Sequence, residues 1–370
     1  ADADTLLSLA DGHAKIVARE VVEQYGSLRD SPVIGTGPWV WMGTEAGAGT
    51  SLHFNPDYFE EGLPFLDRLE IMAIRPSGPA LSPDLKRLAA FQAGAVDVAL
   101  LPPAEWQMLQ ESRADVGSVR SRQAGTGVFF AMNVQNPPLT ELGVRRAILR
   151  AIDPWYYVDS LWPGQSFTSV GIPVQDSEWL LSRAEMRNDY FADPEVAREL
   201  LAASGASTTV KIELTVRTEE FTEFHLALAQ RVADDLRELG LNPVIKPLNP
   251  SRFSQEVLDQ KDYQLALGVL PPTSTTNSFL MALLHSGGRW NIAAHQDTAL
   301  DAMIERQAIE FEPGLRRELL EDIQRHVLYQ GYLFSPISGA SRWVFDPTVR
   351  GFYPSTALSE YLYWSRVWLD

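Results

Sequence analysis

Along residues 210–217, Val210, Ile212, Leu214 and Val216 alternate with Lys211, Glu213, Thr215 and Arg217. That is the period of two expected of a strand with one buried face. The period then lengthens: Phe224, Leu228, Val232, Leu236 and Leu239 recur at helical spacing as far as Gly240, and Val244-Ile245 resumes extended structure. A strand, a helix and a second strand in that order predict a right-handed crossover. Just upstream, Asp193 stands as an N-cap, Pro194 at the first helical position and Gly205 past the last turn, so helix boundaries are predicted there with a mechanism at each end.

The same reading extends in both directions. The opening stretch to about Tyr25 reads as helix, and Gly35-Thr36-Gly37-Pro38 turns into a strand at Trp39–Met42 with a hairpin at Gly47 and Gly49. Leu69 to Ile74 is apolar on both faces apart from Glu70, which predicts a strand covered on both sides. A helix bearing Leu85, Leu88, Ala89 and Gln92 follows, with Gly94 as its left-handed cap, then a strand at Val96–Leu100 closed by Pro102-Pro103. Phe129 to Val134 reads as strand, and Thr140 as the cap of a helix burying Val144, Ile148, Ala151 and Ile152, ended or kinked by Pro154. Tyr263–Val269 reads as a buried strand. Two amphipathic helices follow, one carrying Leu300, Met303 and Ile304, the other Leu315, Leu319, Ile323 and Val327, and from Pro336 the tail is strand and turn rich in aromatics. The class is α/β.

Composition narrows the function. The chain has 370 residues, 45% of them hydrophobic, which is enough apolar area for two domains or one large core. A net charge of −17 repels nucleic acid and anionic membrane surfaces alike. With no Cys there is no thiol catalysis, disulfide or thiolate metal site, and no apolar run is long enough to cross a bilayer.

Catalytic chemistry finds little support. There is no GxSxG elbow, and Gly35-Thr36-Gly37 lacks the third glycine of a phosphate cradle. Glu219, Glu223 and His225 form the nearest approach to a metal constellation, and first-turn acids on a helix explain the carboxylates better. No cofactor is expected. Paired carboxylates for glycoside hydrolysis could be drawn from 48 Asp and Glu, and the 10 Trp suit a sugar-stacking cleft. Of these, Trp39, Trp41, Trp364 and Trp368 fit a core, while Trp106, Trp162 and Trp290, beside Pro or Gly turns, are cleft candidates.

Several ordered segments carry a family resemblance. They are Gly35-Thr36-Gly37-Pro38-Trp39, Asn55-Pro56-Asp57-Tyr58, Gly62-Leu63-Pro64-Phe65-Leu66-Asp67, the run Leu88–Asp97, Asn133 with Pro137-Pro138, Val144–Ile148 with Ala151-Ile152-Asp153, and Asp193-Pro194 to Leu201. Together, from about Val33 to Tyr363, they resemble the family 5 extracellular solute-binding proteins of ABC importers, the oligopeptide- and dipeptide-binding group. The resemblance implies a two-lobed, type II periplasmic-binding-protein-like clamshell. Residues 1–133 and 336–370 would form lobe I, with its N-terminal side missing, and residues 134–335 lobe II. It further implies a non-enzymatic monomer that captures a small solute between the lobes and hands it to a membrane permease. Its place would be the periplasm or the extracellular face, tethered through an upstream anchor.

By position, the resemblance points to Leu101, Pro102, Phe130, Asn133, Thr275, Asn277, Arg289, Trp290, Asn291 and Ser338 as residues facing the solute. Peptide-binding members often place an Asp after the strand that corresponds to Tyr263–Val269, as partner to the peptide ammonium. Here the stretch is Leu270-Pro271-Pro272-Thr273-Ser274-Thr275-Thr276-Asn277, with hydroxyls and an amide and no carboxylate. A buried cation without a counter-charge is costly, so oligosaccharide stands beside peptide as the expected ligand. The competing classes are a glycoside hydrolase with a Trp-lined cleft and a structural or regulatory relative without a solute.

Overall fold

The structure, a computed structural model, describes residues 2–10, 14–28, 31–74, 85–101, 103–113, 115–161, 166–174, 176–206, 211–218, 223–271, 273, 275–354 and 362–370. They divide into two compact units, a larger one from residues 2–8 and 122–340 and a smaller one from residues 9–74, 85–121 and 341–370. Among the described residues the chain passes between units at 8–9, at 121–122 and at 340–341, where the sequence reading has two changes, near Asn133 and Ser335.

In the smaller unit, β1 (Trp39–Glu45), β2 (Gly49–Phe54) and β3 (Arg68–Met72) form an antiparallel three-stranded sheet in that order. Gly49 is required where β2 meets β3: a Cβ there would lie 2.1 Å from the Ile71 carbonyl oxygen. After the helix Lys86–Gln92, Gly94 has the left-handed backbone expected of it, with φ +68°. β4 (Val98–Leu101) and the helix Pro103–Ser112 complete a small core of Leu88, Phe91, Ala99, Leu101, Leu109 and Val344. Pro103 therefore opens a helix, because a first-turn residue needs no N–H partner. The expectation that Leu69–Ile74 is covered on both faces is corrected. β3 ends the antiparallel sheet, with Arg68, Glu70 and Met72 exposed on alternate positions and Leu69 buried.

The larger unit is built on β5 (Gly117–Met132), β6 (Phe167–Ser169), β7 (Lys211–Arg217), β8 (Asn242–Leu248), β9 (Leu265–Val269) and β10 (Leu333–Phe345). Its sheet runs β10-β5-β9-β7-β8, with β6 against β10. β7 is parallel to both β8 and β9, and β5 is antiparallel to β9. The period-two reading of β7 and the helical reading of Glu223–Glu238 both describe this unit, where Leu228, Val232 and Leu236 pack into the core with Ile212 and Leu214. Asp193 caps the helix Pro194–Ser204 through a bond from the Val196 N–H at 3.1 Å, and Gly205 closes it with φ +66°.

Thr140 is not a cap. The helix Leu142–Ala151 begins after Glu141, without a side-chain cap bond. Buried Arg145 instead donates to the carbonyls of Leu139, Thr140 and Gln330 at 2.7, 3.1 and 2.7 Å. The far part of β10 returns to the smaller unit, where Arg342 to Phe345 pair antiparallel with Leu101 to Val98.

Candidate functional site

In open α/β sheets the ends of parallel strands collect ligands, because the loops leaving them diverge there. In the larger unit the parallel strands β7, β8 and β9 share one carboxyl-end face. Leu270, Pro271, Thr273 and residues 275–277 follow β9 on that face, and Ser169–Pro173 and Ser335–Ser338 lie against it. Thr276 Oγ1 donates to the Pro173 carbonyl at 2.5 Å, and a Cβ on Gly171 would touch the Leu270 and Ser335 side chains.

Three of the expected residues gather here: Thr275, Asn277 and Ser338. Each is already bonded within its own unit. Thr275 Oγ1 accepts from the Ser278 N–H at 3.2 Å, and Ser278 Oγ accepts from the Thr275 N–H, a reciprocal cap on the helix Thr276–Phe279. Asn277 Oδ1 accepts from Gln307 Nε2 at 3.1 Å. Ser338, fully buried, lies in a row of three serines: Ser169 Oγ sits 2.6 Å from Ser338 Oγ, Ser338 donates to Ser335 at 3.0 Å, and Ser335 donates to the Val128 carbonyl at 2.7 Å.

No carboxylate belongs to the 270–277 stretch, yet one reaches it from the start of the chain. Asp4, with no exposed surface, accepts from the Asn277 N–H at 2.7 Å through one oxygen and from Arg316 Nη1 at 2.7 Å through the other. Arg316, also buried, turns its remaining nitrogens to Gln307 Oε1 at 3.2 and 3.4 Å. The charge of Asp4 is thus matched within the unit.

Four more expected residues lie at the opposite end of β9. Asn133 accepts through its side chain from Gln135 N–H at 3.0 Å, donates to the Lys261 carbonyl at 2.8 Å, and bonds through its own N–H to Gln264. Lys261 in turn donates to the carbonyls of Leu258 and Trp290. Burial pulls its pKa down to about 8, with Asp259 opposing. Asn291 is buried and ties Ser286 and His295 together through its amide, and exposed Arg289 stacks its guanidinium over Trp290 at 5.6 Å. Gln264 and Leu270 are separated by roughly 20 Å of extended chain, at about 3.3 Å per residue. Asn133, Arg289, Trp290 and Asn291 therefore do not share a site with Thr275, Asn277 and Ser338.

Leu101 and Phe130, both expected to face a solute, are packed in cores, Leu101 in the smaller unit and Phe130 against Phe334 in the larger, 2% and 1% exposed. Their strand positions alternate inward, which places the side chains under the sheet. Pro102 and Trp162 lie outside the described residues. Trp106 is covered by the Arg342 guanidinium at 4.6 Å, and Trp41 and Trp368, read as core, are 38% and 42% exposed.

Asp4, Gln307, Arg316, Ser335 and Ser169 were not picked out from the sequence. A signal existed for two of them: Gln307 follows Leu300 and Ile304, and Arg316 precedes Leu320, Ile323 and Val327, at spacings that put a polar group on a buried helix face. A separate cavity of about 650 Å³ in the larger unit is lined by Trp155, Phe167, Thr168, Arg183 and Arg317 among others, and contains none of the expected residues. Among the described residues no group of three or more His, Asp or Glu could hold a metal ion, and no helix is long and apolar enough to cross a membrane.

The family model for bacterial extracellular solute-binding proteins, family 5 Middle, matches residues 1–291, and the chain belongs to that family. It is 29% identical to the probable di/tripeptide-binding protein 5 of Pseudomonas aeruginosa over 82% of this chain and 57% of that protein. It is 24% identical to the probable ABC transporter periplasmic-binding protein SapA of Escherichia coli over 92% of this chain and 62% of that one. The chain thus spans less than two thirds of the length of these curated relatives. Among solved structures it resembles the ABC transporter substrate-binding protein CtaP of Listeria monocytogenes, with a TM-score of 0.77 at 19% identity over 95% of this chain and 71% of that one. It also resembles a Pseudoalteromonas dipeptide-binding protein solved in complex with Met-Leu, with a TM-score of 0.70 at 20% identity over 96% of this chain and 69% of that one. The fold is the α/β type II periplasmic-binding fold of family 5.

Proposed function

We propose that this chain is the solute-binding part of an ABC importer, that it takes up a short peptide without altering it, and that it acts outside the cytoplasmic membrane in partnership with a permease. The observation that carries the reading is the family match over residues 1–291, joined by relatives named for di- and tripeptide binding. Those names describe binders, which supports a non-enzymatic role.

Oligosaccharide is the competing ligand, suggested by the hydroxyls and amide at Thr275, Thr276 and Asn277. Their commitment to Ser278, Pro173 and Gln307 weakens that suggestion, because a sugar would have to displace bonds already made. Peptide is therefore favoured. In this reading a solute meets the carboxyl-end face through main-chain groups and shape, with no acidic partner from the 270–277 stretch for its ammonium.

A thermal-shift screen against di- and tripeptide libraries and against oligosaccharides tests the proposal. Peptides are expected to raise the melting temperature in a concentration-dependent way, since a ligand that binds only the folded state stabilises it. Stabilisation by oligosaccharides alone, or release of cleaved products seen by mass spectrometry, would overturn it.

A further inference from the structure

Four stretches of chain enclose the cavity of about 650 Å³ in the larger unit: the helix Pro154–Leu161, the approach to β6, the run between Ser177 and Met186, and the helix Pro313–Gln330. None of the described residues at the carboxyl-end face lines it. The walls are fixed by bonds of their own. Gln324, 1% exposed, accepts from the Leu181 N–H at 3.2 Å and donates to the Trp179 and Leu320 carbonyls at 2.8 and 3.1 Å. Arg325 donates to Glu185 at 2.7 Å and to Glu321 at 3.2 Å, and Ser182 caps the helix Arg183–Asp189 by accepting from the Glu185 N–H at 3.1 Å. A concave space whose walls are already set loses little freedom when a small ligand enters it.

The cavity floor is apolar: Trp155, Val158, Leu181 and Met186 are each at most 6% exposed and belong to the core of the unit. Above them stand charges of both signs, and most are already matched. Arg317 pairs with Glu321 at 2.8 Å, Glu185 and Glu321 pair with Arg325, and Glu178 lies within electrostatic reach of Arg317. Two are not matched. Arg183 holds its guanidinium 5.5 Å from the Trp155 ring centroid, and among the described residues no carboxylate pairs with it. Arg187 covers the same ring at 5.5 Å but is paired with Asp153 at 3.2 Å. Asp159, also in the cavity wall, has no basic partner among the described residues.

The spacing of these two charges follows from the helix. Trp155 and Asp159 are four residues apart in the helix Pro154–Leu161, so they share one face with a rise of about 6 Å between them. Arg183 stacks on the first, and Asp159 is the second. A free cation and a free anion thus stand about one helical turn apart over an apolar floor. A fatty acid or an alkylamine would match only one of them.

We propose that this cavity binds a free α-amino acid with an apolar side chain, its carboxylate on Arg183, its ammonium on Asp159 and its side chain against Val158, Leu181 and Met186. A guanidinium offers parallel N–H donors to a carboxylate, and its stacking on Trp155 limits the directions in which it can turn. An amino acid carries both charges on one carbon, whereas each further residue of an extended peptide moves them apart by about 3.5 Å. Charges about one turn apart therefore favour the single amino acid.

The test is isothermal titration calorimetry of the whole chain with L-leucine, leucinamide, which lacks the carboxylate, and N-acetylleucine, which lacks the ammonium. Leucine is expected to bind saturably, and each derivative roughly tenfold more weakly, because each leaves one charged group without its partner. Arg183→Gln should weaken leucine by a similar factor and leave leucinamide unchanged. Asp159→Asn should weaken leucine and leave N-acetylleucine unchanged. Both side chains are exposed, so both variants are expected to fold. The inference is overturned if leucine does not bind, if the three probes bind alike, if leucine binding is unchanged in either variant, or if trileucine binds more tightly than leucine and both variants abolish it. None of these outcomes bears on peptide capture.

Discussion

Replacing Asp4 by Ala tests the best-defined buried charge in the molecule. Asp4 has no exposed surface and Arg316 is 4% exposed, and they meet at 2.7 Å. Removing the carboxylate leaves the guanidinium with Gln307 as its side-chain partner and strips the Asn277 N–H of its acceptor. Breaking a buried pair from one side costs about 3–5 kcal/mol, because the remaining charge stays desolvated. In a unit of this size each kcal/mol shifts the melting temperature by roughly 2–4 °C, so the loss is on the order of 6–20 °C by calorimetry. The double variant Asp4→Ala with Arg316→Met removes both charges and should recover much of that loss. A double-mutant cycle therefore predicts strong coupling. A loss under about 1 kcal/mol for Asp4→Ala, or additive effects in the cycle, would refute the reasoning, since either outcome means the pair is effectively solvated.

Three further expectations are open to the same methods. Ser335→Ala removes the donor to the Val128 carbonyl and the acceptor for Ser338 inside a buried row, and is expected to cost about 1–3 kcal/mol in denaturant unfolding with an unchanged slope. Burial alone would raise the pKa of Asp297, but bonds from His326, the Leu300 N–H and Tyr332 hold it below the ordinary carboxylate range. Its contribution is therefore complete above the unfolded value of 3.8 and is lost as the pH falls through the lower folded value; Asp297→Asn should flatten that acid limb of the stability curve. Gly127→Ala would place a Cβ 2.2 Å from the Ile337 carbonyl oxygen at φ +108°, and is expected to lower the melting temperature more than Gly205→Ala, where no atom lies within 4 Å.

Where the sequence carried its own stop and start chemistry, the fold was legible. Asp193, Pro194 and Gly205 bound one helix, and the alternation through Ile212, Leu214 and Val216 marks a strand, because caps and periodicity are local properties. Sheet membership is not local. β3, the following helix and β4 read as strand, helix and strand in succession, but nothing in that segment shows that β3 pairs antiparallel with β2, a choice made by contacts outside it. The first half of β5 escaped notice because Gly117, Gly125 and Gly127 interrupt its pattern. Those glycines are needed where Phe345, Pro173 and the Ile337 carbonyl approach the backbone. The site was harder still. Position in the family resemblance suggested Thr275 and Asn277, but what occupies them comes from Ser278, Gln307 and Asp4, and the Asp4–Arg316 contact spans 312 positions of sequence.

The central claim, that this chain holds a short peptide and returns it unchanged, is tested most directly by equilibrium dialysis against a defined mixture of di- and tripeptides, with both compartments analysed by mass spectrometry. The account predicts a subset of peptides retained on the protein side in proportion to protein and recovered intact on denaturation. Equal distribution of every peptide across the membrane, or recovery of hydrolysed fragments, would contradict it.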